Sequence, residues 1–404
     1  MTTTFPPAST RPPAATVGPV AWIRKNLFNS WFNTILTLIL VWVLGTAAAR
    51  MVNWATTVAQ WEVIPANFQL FFVGRYPVNQ FWRLWLVLGL IVALAGLTWG
   101  LLVRTASTLY GRRVLIGIGI AALIAVLTPT PVVPYRLLLI SMVGILVATA
   151  WLAWSFGTRI PAVGSWLALA WAIAFLVGLW LVAGGFGLRP ISTSNWGGLL
   201  LTVFVAVCSI ALCFPLGVLL ALGRQSSLPI LRWLSIIYIE VIRGIPLIAI
   251  LFIGQNMIPL FLPQGWRPDN VIRAIMGLTL FSAAYLAENV RGGLQSIPRG
   301  QGEAASALGL NPLLTTGLIV LPQALKVSIP AIVGQFISLF QDTTLLSVVG
   351  IVELLGISRS ILANPNFIGR YWEVYIFIGA IYWVFCYAMS VASRRIERQL
   401  HTGN

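Results

Sequence analysis

Long apolar runs separated by short polar breaks dominate this chain. At about 20 apolar residues per membrane-crossing helix, ten runs qualify, at roughly 29–49, 84–103, 114–129, 137–155, 163–183, 197–221, 233–261, 271–289, 327–350 and 372–393. The third is short, and the prolines from Pro129 to Pro134 reshape its end. The pattern predicts an all-α polytopic membrane protein of about ten transmembrane helices. Ahead of the first run, residues 1–28 read as a disordered tail rich in Pro, Ala and Thr near its start. Arg24 and Lys25 then precede an apolar stretch too long for the core of a cleaved signal.

Composition closes off the other classes. Of 404 residues, 59% are hydrophobic and 8% charged, with mean hydropathy +0.92; soluble domains carry about 25% charged residues. A soluble enzyme, a disordered protein and a coiled coil are excluded. The net charge of +16 does not read as nucleic-acid binding, because the basic residues are scattered singly or in pairs between apolar runs. With both termini inside, sixteen of the 25 Lys and Arg fall on the inner side and nine, from Arg50 to Arg370, on the outer, as the positive-inside bias requires. One His and three Cys are too few for a metal centre or a disulfide framework.

The acids divide the chain near residue 195. Glu62 is the only one before it, where most of the Trp residues lie, and the other eight follow. Trp is an interfacial anchor, so residues 29–195 read as a Trp-rich extension of about five helices that holds position in lipid. Its segment 51–80 is expected along the membrane interface, or as a docking site for an outside partner. Ionisable groups are costly in a membrane, so mechanism is sought in residues 196–395, followed by a tail at 396–404. No internal repeat joins the halves.

The segment Ser296–Pro322 carries the most local information. Ser296 and Pro298 suit a helix start, and Gly309 suits a stop in left-handed backbone with Leu310 folded back. Asn311–Pro312 restarts a helix as cap and first residue, and Leu321–Pro322 is expected to end it before the next run. Two short helices at an angle are expected to project from the membrane. Further candidates lie in the apolar runs. Glu240 and Arg243 share a helical face three residues apart, just before a break at Gly244 and Pro246 that a cavity tolerates and lipid does not. Gln341, Asp342, Thr343 and Thr344 are consecutive polar residues in the ninth run. Glu288 and Arg291 read as a structural pair.

These residues resemble a known family. Glu303-Ala304-Ala305, three residues, Gly309, nine residues, Ile319, one residue, Leu321-Pro322 is similar to the EAA signature of ABC-importer permeases. Flanking stretches resemble the polar-amino-acid uptake branch, among them Glu240 to Leu247, Ala284 to Gly293, Gln295 to Gln301 and Gln341 to Ser347. The resemblance spans about 196–395, and the long N-terminal extension looks like the M-type permease of general or neutral L-amino-acid systems. Relatives usually carry Thr where this chain has Ile245.

The resemblance implies a type I (MetI-like) permease core in the last five spans, in a bacterial inner membrane with both termini cytoplasmic. It implies a second permease, two ATPase subunits and a periplasmic amino-acid-binding protein as partners, besides membrane lipid and without nucleic acid. ATP would be bound by the partners, and the chain itself has no G-x-x-x-x-G-K-S/T to cradle phosphates. Glu303, Ala304, Ala305, Gly309, Ile319, Leu321 and Pro322 would contact the ATPase. Glu240, Arg243, Gln341, Asp342, Thr343 and Thr344 would line the substrate path, with Arg243 near mid-membrane. A secondary amino-acid transporter or channel not driven by ATP is the alternative. It would need matched broken helices in both halves, whereas acids and breaks gather in one.

Overall fold

The computed structural model describes residues 18–103, 109–128, 133–157, 163–263 and 265–401. Among them the regular structure is all helical. The chain divides into two compact units at Gln60/Trp61.

The first unit holds α1 (Pro19–Leu27) and α2 (Trp31–Asn53). Residues 19–27, expected inside a disordered tail, are therefore a helix; residues 1–17 lie outside the described residues. Pro19 fits the first turn, and the Ser30 hydroxyl caps α2 by accepting the Asn33 N–H at 3.2 Å. With a π turn at Trp54–Val58, α2 gives an apolar stretch of 28 residues.

The second unit begins with two short helices, α3 (Val63–Ala66) and α4 (Phe68–Val73). Four apolar helices follow: α5 (Phe81–Leu102), α6 (Arg112–Leu127), α7 (Val133–Phe156) and α8 (Val163–Ala183). The core comprises α9 (Gly198–Arg224), α10 (Pro229–Gly244), α11 (Leu247–Phe252), α12 (Ile258–Phe261), α13 (Asn270–Ser296), α14 (Arg299–Ala307), α15 (Pro312–Leu314), α16 (Leu321–Asp342), α17 (Leu354–Leu362) and α18 (Tyr371–His401). The last helix takes in residues 396–401, which sequence assigned to a tail.

Eight helical stretches among the described residues are long and apolar enough to cross a membrane. A ninth forms if α10 and the helix after it, bent by 100° at the Gly244–Pro246 break, are one span. The tenth expected crossing is the short α6, and packing shows that the chain must return across the membrane there. Gly89 lies beside Met142, Gly96 beside Leu146 and Thr149, and Gly100 beside Ala150 and Ala153. Numbering rises together, so α5 and α7 run parallel. Their starts meet where Phe81 and Trp85 pack on Tyr135. A chain joining the end of one to the start of the other has to recross. At 1.5 Å per residue, α6 spans about 24 Å, a little under the hydrocarbon core.

Two ends of the second unit follow. At the far end, Tyr76 Oη donates to the Val182 carbonyl at 3.0 Å and Arg83, 2% exposed, donates to the Arg189 carbonyl at 2.9 Å. Thr193 donates to Asp269 at 2.6 Å there. The opposite end carries the turn from α9 to α10 and the segment between α13 and α16. Between them, Ala206, Cys213, Leu286, Val290, Ala324 and Leu339 form a continuous buried core from α9, α13 and α16.

The expectation that residues 51–80 lie along the interface is corrected for residues 63–71. Val63, Ile64 and Phe71 are buried against α17 and α18, because alternate apolar and turn residues fold this stretch into short helices with one inward face each.

Candidate functional site

The segment Ser296–Pro322 forms where sequence placed it, with changes at both edges. Ser296 does not start a helix. It closes α13, its hydroxyl donating to the Gly293 carbonyl at 2.7 Å, and Pro298 stands just ahead of α14. The stop at Gly309 is present: φ is +81°, its N–H donates to the Ser306 carbonyl at 3.0 Å, and the Leu310 N–H reaches back to the Ala305 carbonyl at 3.1 Å. This paired closure satisfies carbonyls the helix end leaves free. Asn311 caps the restart, accepting the Leu314 N–H at 2.9 Å. Leu321–Pro322 does not end the second helix. The chain stays helical from Pro312 to Val349 through a π turn at Thr315–Val320, and that turn widens the backbone just ahead of Pro322, whose ring leaves no N–H to bond. The second arm is thus continuous with the ninth span.

Within this element Ala305 is buried, while Glu303, Ala304 and Pro322 are exposed and Ile319 and Leu321 half-buried. The Ile319 carbonyl accepts Gln323 Nε2 at 2.8 Å, and the same nitrogen reaches Gln301 at 3.2 Å, tying the two arms together. Leu308 is 83% and Leu313 84% exposed, one on each side of the Gly309 turn. Two bare leucines thus stand on a polar projection. An open cleft lined by Arg299, Glu303, Ser306 and Thr316 lies between the arms.

The predicted path residues fall into two separate groups. Glu240 and Arg243 do not neutralise each other as their spacing suggested. Glu240 pairs with Arg224 at 2.9 Å, and Arg243 approaches Glu288 at 3.7 Å while its guanidinium lies 5.4 Å from the Tyr285 ring. Glu288 is the hub, meeting Arg224 at 2.8 Å and Arg291 at 2.7 Å. The Glu288–Arg291 pair expected from sequence is present. Arg224 and Tyr285 were missed; a lone Arg ending an apolar helix reads as ordinary inside charge. The placement of Arg243 near mid-membrane is corrected as well. Its cluster includes Arg224, the last residue of α9, so it lies towards the end that carries the segment between α13 and α16. The 100° bend folds α10 across α9 and α13 instead of carrying it straight up.

The second group closes the ninth span. Gln341 is exposed, with Nε2 3.6 Å from Cys386 Sγ. Thr343 is fully buried and donates to the Phe340 carbonyl at 2.7 Å, and Thr344 donates to the Gln341 carbonyl at 2.8 Å. Asp342 makes no side-chain hydrogen bond or ion pair among the described residues. Among the described residues no hydrogen bond or ion pair joins this group to the Glu288 cluster.

A buried carboxylate that sequence reasoning passed over lies just beyond. Glu353, with no exposure, caps α17 by accepting the Leu355 and Gly356 N–H groups at 2.8 Å each, and it accepts Tyr382 Oη at 3.2 Å. Burial pushes its carboxyl up to about 7, against the pull of these hydrogen bonds. The signal available was an acid immediately before a short amphipathic helix.

Residues 213–402 match the family model described as "Binding-protein-dependent transport system inner membrane component". The chain is 37% identical over 402 residues to the inner membrane amino-acid ABC transporter permease protein YhdY of Escherichia coli, covering 95% of this chain and 94% of that one. It is 37% identical to the glutamate/glutamine/aspartate/asparagine transport system permease protein BztC of Rhodobacter capsulatus, covering 96% and 95%. The probable glutamine ABC transporter permease protein GlnP of Bacillus subtilis is 36% identical over 50% of this chain and 91% of its own. Half-length and full-length permeases thus share one core, and this chain belongs to the amino-acid ABC transporter permeases, multi-pass membrane proteins of the binding-protein-dependent inner membrane component family.

Proposed function

We propose that the chain forms half of the translocation path of an ATP-driven amino-acid importer. A second permease supplies the other half, two ATPase subunits bind the coupling segment, and a periplasmic binding protein delivers substrate at the far end. Both termini lie in the cytoplasm, in keeping with sixteen basic residues on that side against nine. The extension at 29–195 anchors the core at 196–395.

One observation carries the reading. The Gly309 turn holds Leu308 and Leu313 bare on a short two-armed projection whose second arm runs unbroken into the ninth span. Movement imposed on the projection is thereby delivered to Asp342 and its neighbours as a lever. Glu303, Ala304, Ala305, Gly309, Ile319, Leu321 and Pro322 shape the ATPase contact. Glu240, Arg243, Gln341, Asp342 and Thr344 serve the path, where charges of both signs suit a zwitterion, while Thr343, expected there too, is fully buried and instead holds the helix end beside them.

Reconstitution with the ATPase, the second permease and the binding protein tests this. Uptake of labelled amino acids into proteoliposomes should need ATP and the binding protein, and competition with the twenty amino acids should give the substrate range. ATP-independent uptake by this chain alone would overturn the reading.

A further inference from the structure

The N-terminal half of the chain meets the permease core around Tyr76, Val182 and Ile191, which pack against Leu201 and Leu346, and again through residues 61–74. Phe71, fully buried, meets Phe377 of α18 edge-on with ring centroids 5.1 Å apart, and Val63 and Ile64 lie in the same cluster with Leu354, Ile357 and Ile361 of α17. The approach is backbone to backbone. At Gly198, the first residue of α9, φ is +59° and a Cβ would overlap the carbonyl oxygens of Leu70 and Phe71; a Cβ at Gly74 would overlap Gly197. Residues 61–74 therefore form a strap seated on the start of α9.

The other side of α17 is pinned to the core. Gly198 N–H donates to the Val352 carbonyl at 3.1 Å, Leu354 N–H donates to Thr202 Oγ1 at 3.0 Å, and Tyr382 donates to Glu353 at 3.2 Å. So α17 is clasped between hydrogen bonds from the core and apolar packing from the strap. It also follows directly on the ninth span: a tight turn at Thr343–Val349 and Gly350, at φ +84°, lead from Asp342 into it. Any opening of the far end beside Asp342 displaces this turn and pulls on α17.

We propose that Phe71 is a positioning residue for α17, and that through it the N-terminal extension sets how tightly opening of the far end is tied to ATP use. This rests on the transport reading above. The strap is the part of the extension whose side chains pack on α17 itself, and it is built from a segment unlike the lipid-facing helices around it. When its packing is loosened, α17 samples positions it otherwise reaches only when substrate is delivered. ATP is then spent without import.

The test uses the whole reconstituted transporter with Phe71→Ala, Phe71→Leu and, as a lipid-facing control on α5, Leu86→Ala. Spin labels on exposed Arg75→Cys and Ser360→Cys, with the three native cysteines replaced, report the strap-to-α17 distance. Phe71→Ala should broaden that distance distribution, raise ATP hydrolysis without the binding protein, and lower amino acid imported per ATP by roughly twofold to thirtyfold, the range one side chain carries in such coupling. Phe71→Leu should shift all three in the same direction by less, and it carries the test if Phe71→Ala fails to assemble. Leu86→Ala should change none. An unchanged distance distribution and import-to-ATP ratio in Phe71→Leu and in any assembled Phe71→Ala overturns the proposal, since a structural role alone lowers yield and leaves the ratio intact. If the wild type imports no amino acid, the transport reading fails, while the spin-label distances still decide whether Phe71 positions α17.

Discussion

Arg224 donates to Glu288 at 2.8 Å, joining the last residue of α9 to α13 across 64 positions of sequence. The same guanidinium holds Glu240 on α10 at 2.9 Å, while Glu288 also faces Arg243 and Arg291. Three cations and two carboxylates thus knit three helices at the coupling end. Removing one member of a partly buried set leaves the others uncompensated, whereas replacing a pair together by apolar groups can be neutral.

Glu288→Gln should therefore be the harshest change in this cluster. It leaves three guanidinium groups around a neutral amide, and because the site is partly exposed the expected loss is about 2 kcal/mol, not the 3–5 of a fully buried pair. The double variant Arg224→Met/Glu288→Leu should recover part of that loss. Thermal unfolding of the purified transporter in detergent measures both. A double variant no more stable than Glu288→Gln would show that the cluster does not work as a charge set.

Much of this was legible in the sequence. Apolar run lengths located nearly every crossing, and the Gly309 and Asn311–Pro312 punctuation located the coupling turn, since these depend on local chemistry alone. Partner choice was not legible. Glu240 and Arg243 lie one helical turn apart, yet the bend after Gly244 turns α10 so that each reaches another helix. The role of Phe71 was hidden for a related reason. One apolar residue among aromatics reads as interfacial until Gly198 and Gly74 are known to admit backbone beside it.

Gly309 tests the coupling turn. Its φ of +81° lies where side chains are strained, but a Cβ there would meet nothing within 4 Å. The cost is backbone strain, about 1–2 kcal/mol, and not a clash. Gly309→Val should insert normally and lose ATP-driven uptake, whereas Gly309→Asn, a residue that tolerates this conformation, should keep most of it. Equal loss in both would point to contact at the glycine itself. Normal uptake in Gly309→Val would sink the idea that this turn aims the second arm.

Glu353 predicts a pH dependence of stability. Its carboxyl titrates at about 7 in the folded chain against an ordinary 4.5. Between those values the folded state holds a proton that the unfolded state has released, so stability falls as pH rises through that window. Full stability from this group is present below about 4.5 and is lost above about 7, a difference on the order of 3 kcal/mol. Glu353→Gln keeps an acceptor for the α17 cap without the ionisation, and should flatten this part of the melting-temperature profile between pH 5 and 8. A variant with the wild-type slope would place the titration elsewhere.

Asp342 and Thr343 are neighbours with opposite expected behaviour. The Asp342 carboxylate makes no hydrogen bond or ion pair among the described residues, whereas Thr343 is fully buried and bonded to the Phe340 carbonyl. An unpaired charge in an apolar span costs about 2.5–3.5 kcal/mol on insertion scales, so Asp342→Asn discards no native bond and should leave the melting temperature unchanged or raised. Thr343→Val breaks a buried hydrogen bond and leaves Phe340 without its donor, so it should lower stability by about 1 kcal/mol or more. Transport should respond the other way. If Asp342 meets the ammonium of a passing amino acid, its loss removes a charge-assisted hydrogen bond and should cut uptake about tenfold or more, with ATP hydrolysis retained. Thr343→Val should reduce uptake only in proportion to assembled complex. Uptake per assembled transporter, measured beside melting temperature, separates the two. Wild-type uptake in Asp342→Asn moves the path away from the ninth span, and a collapse in its stability means that the carboxylate holds helices together once the partner permease is in place.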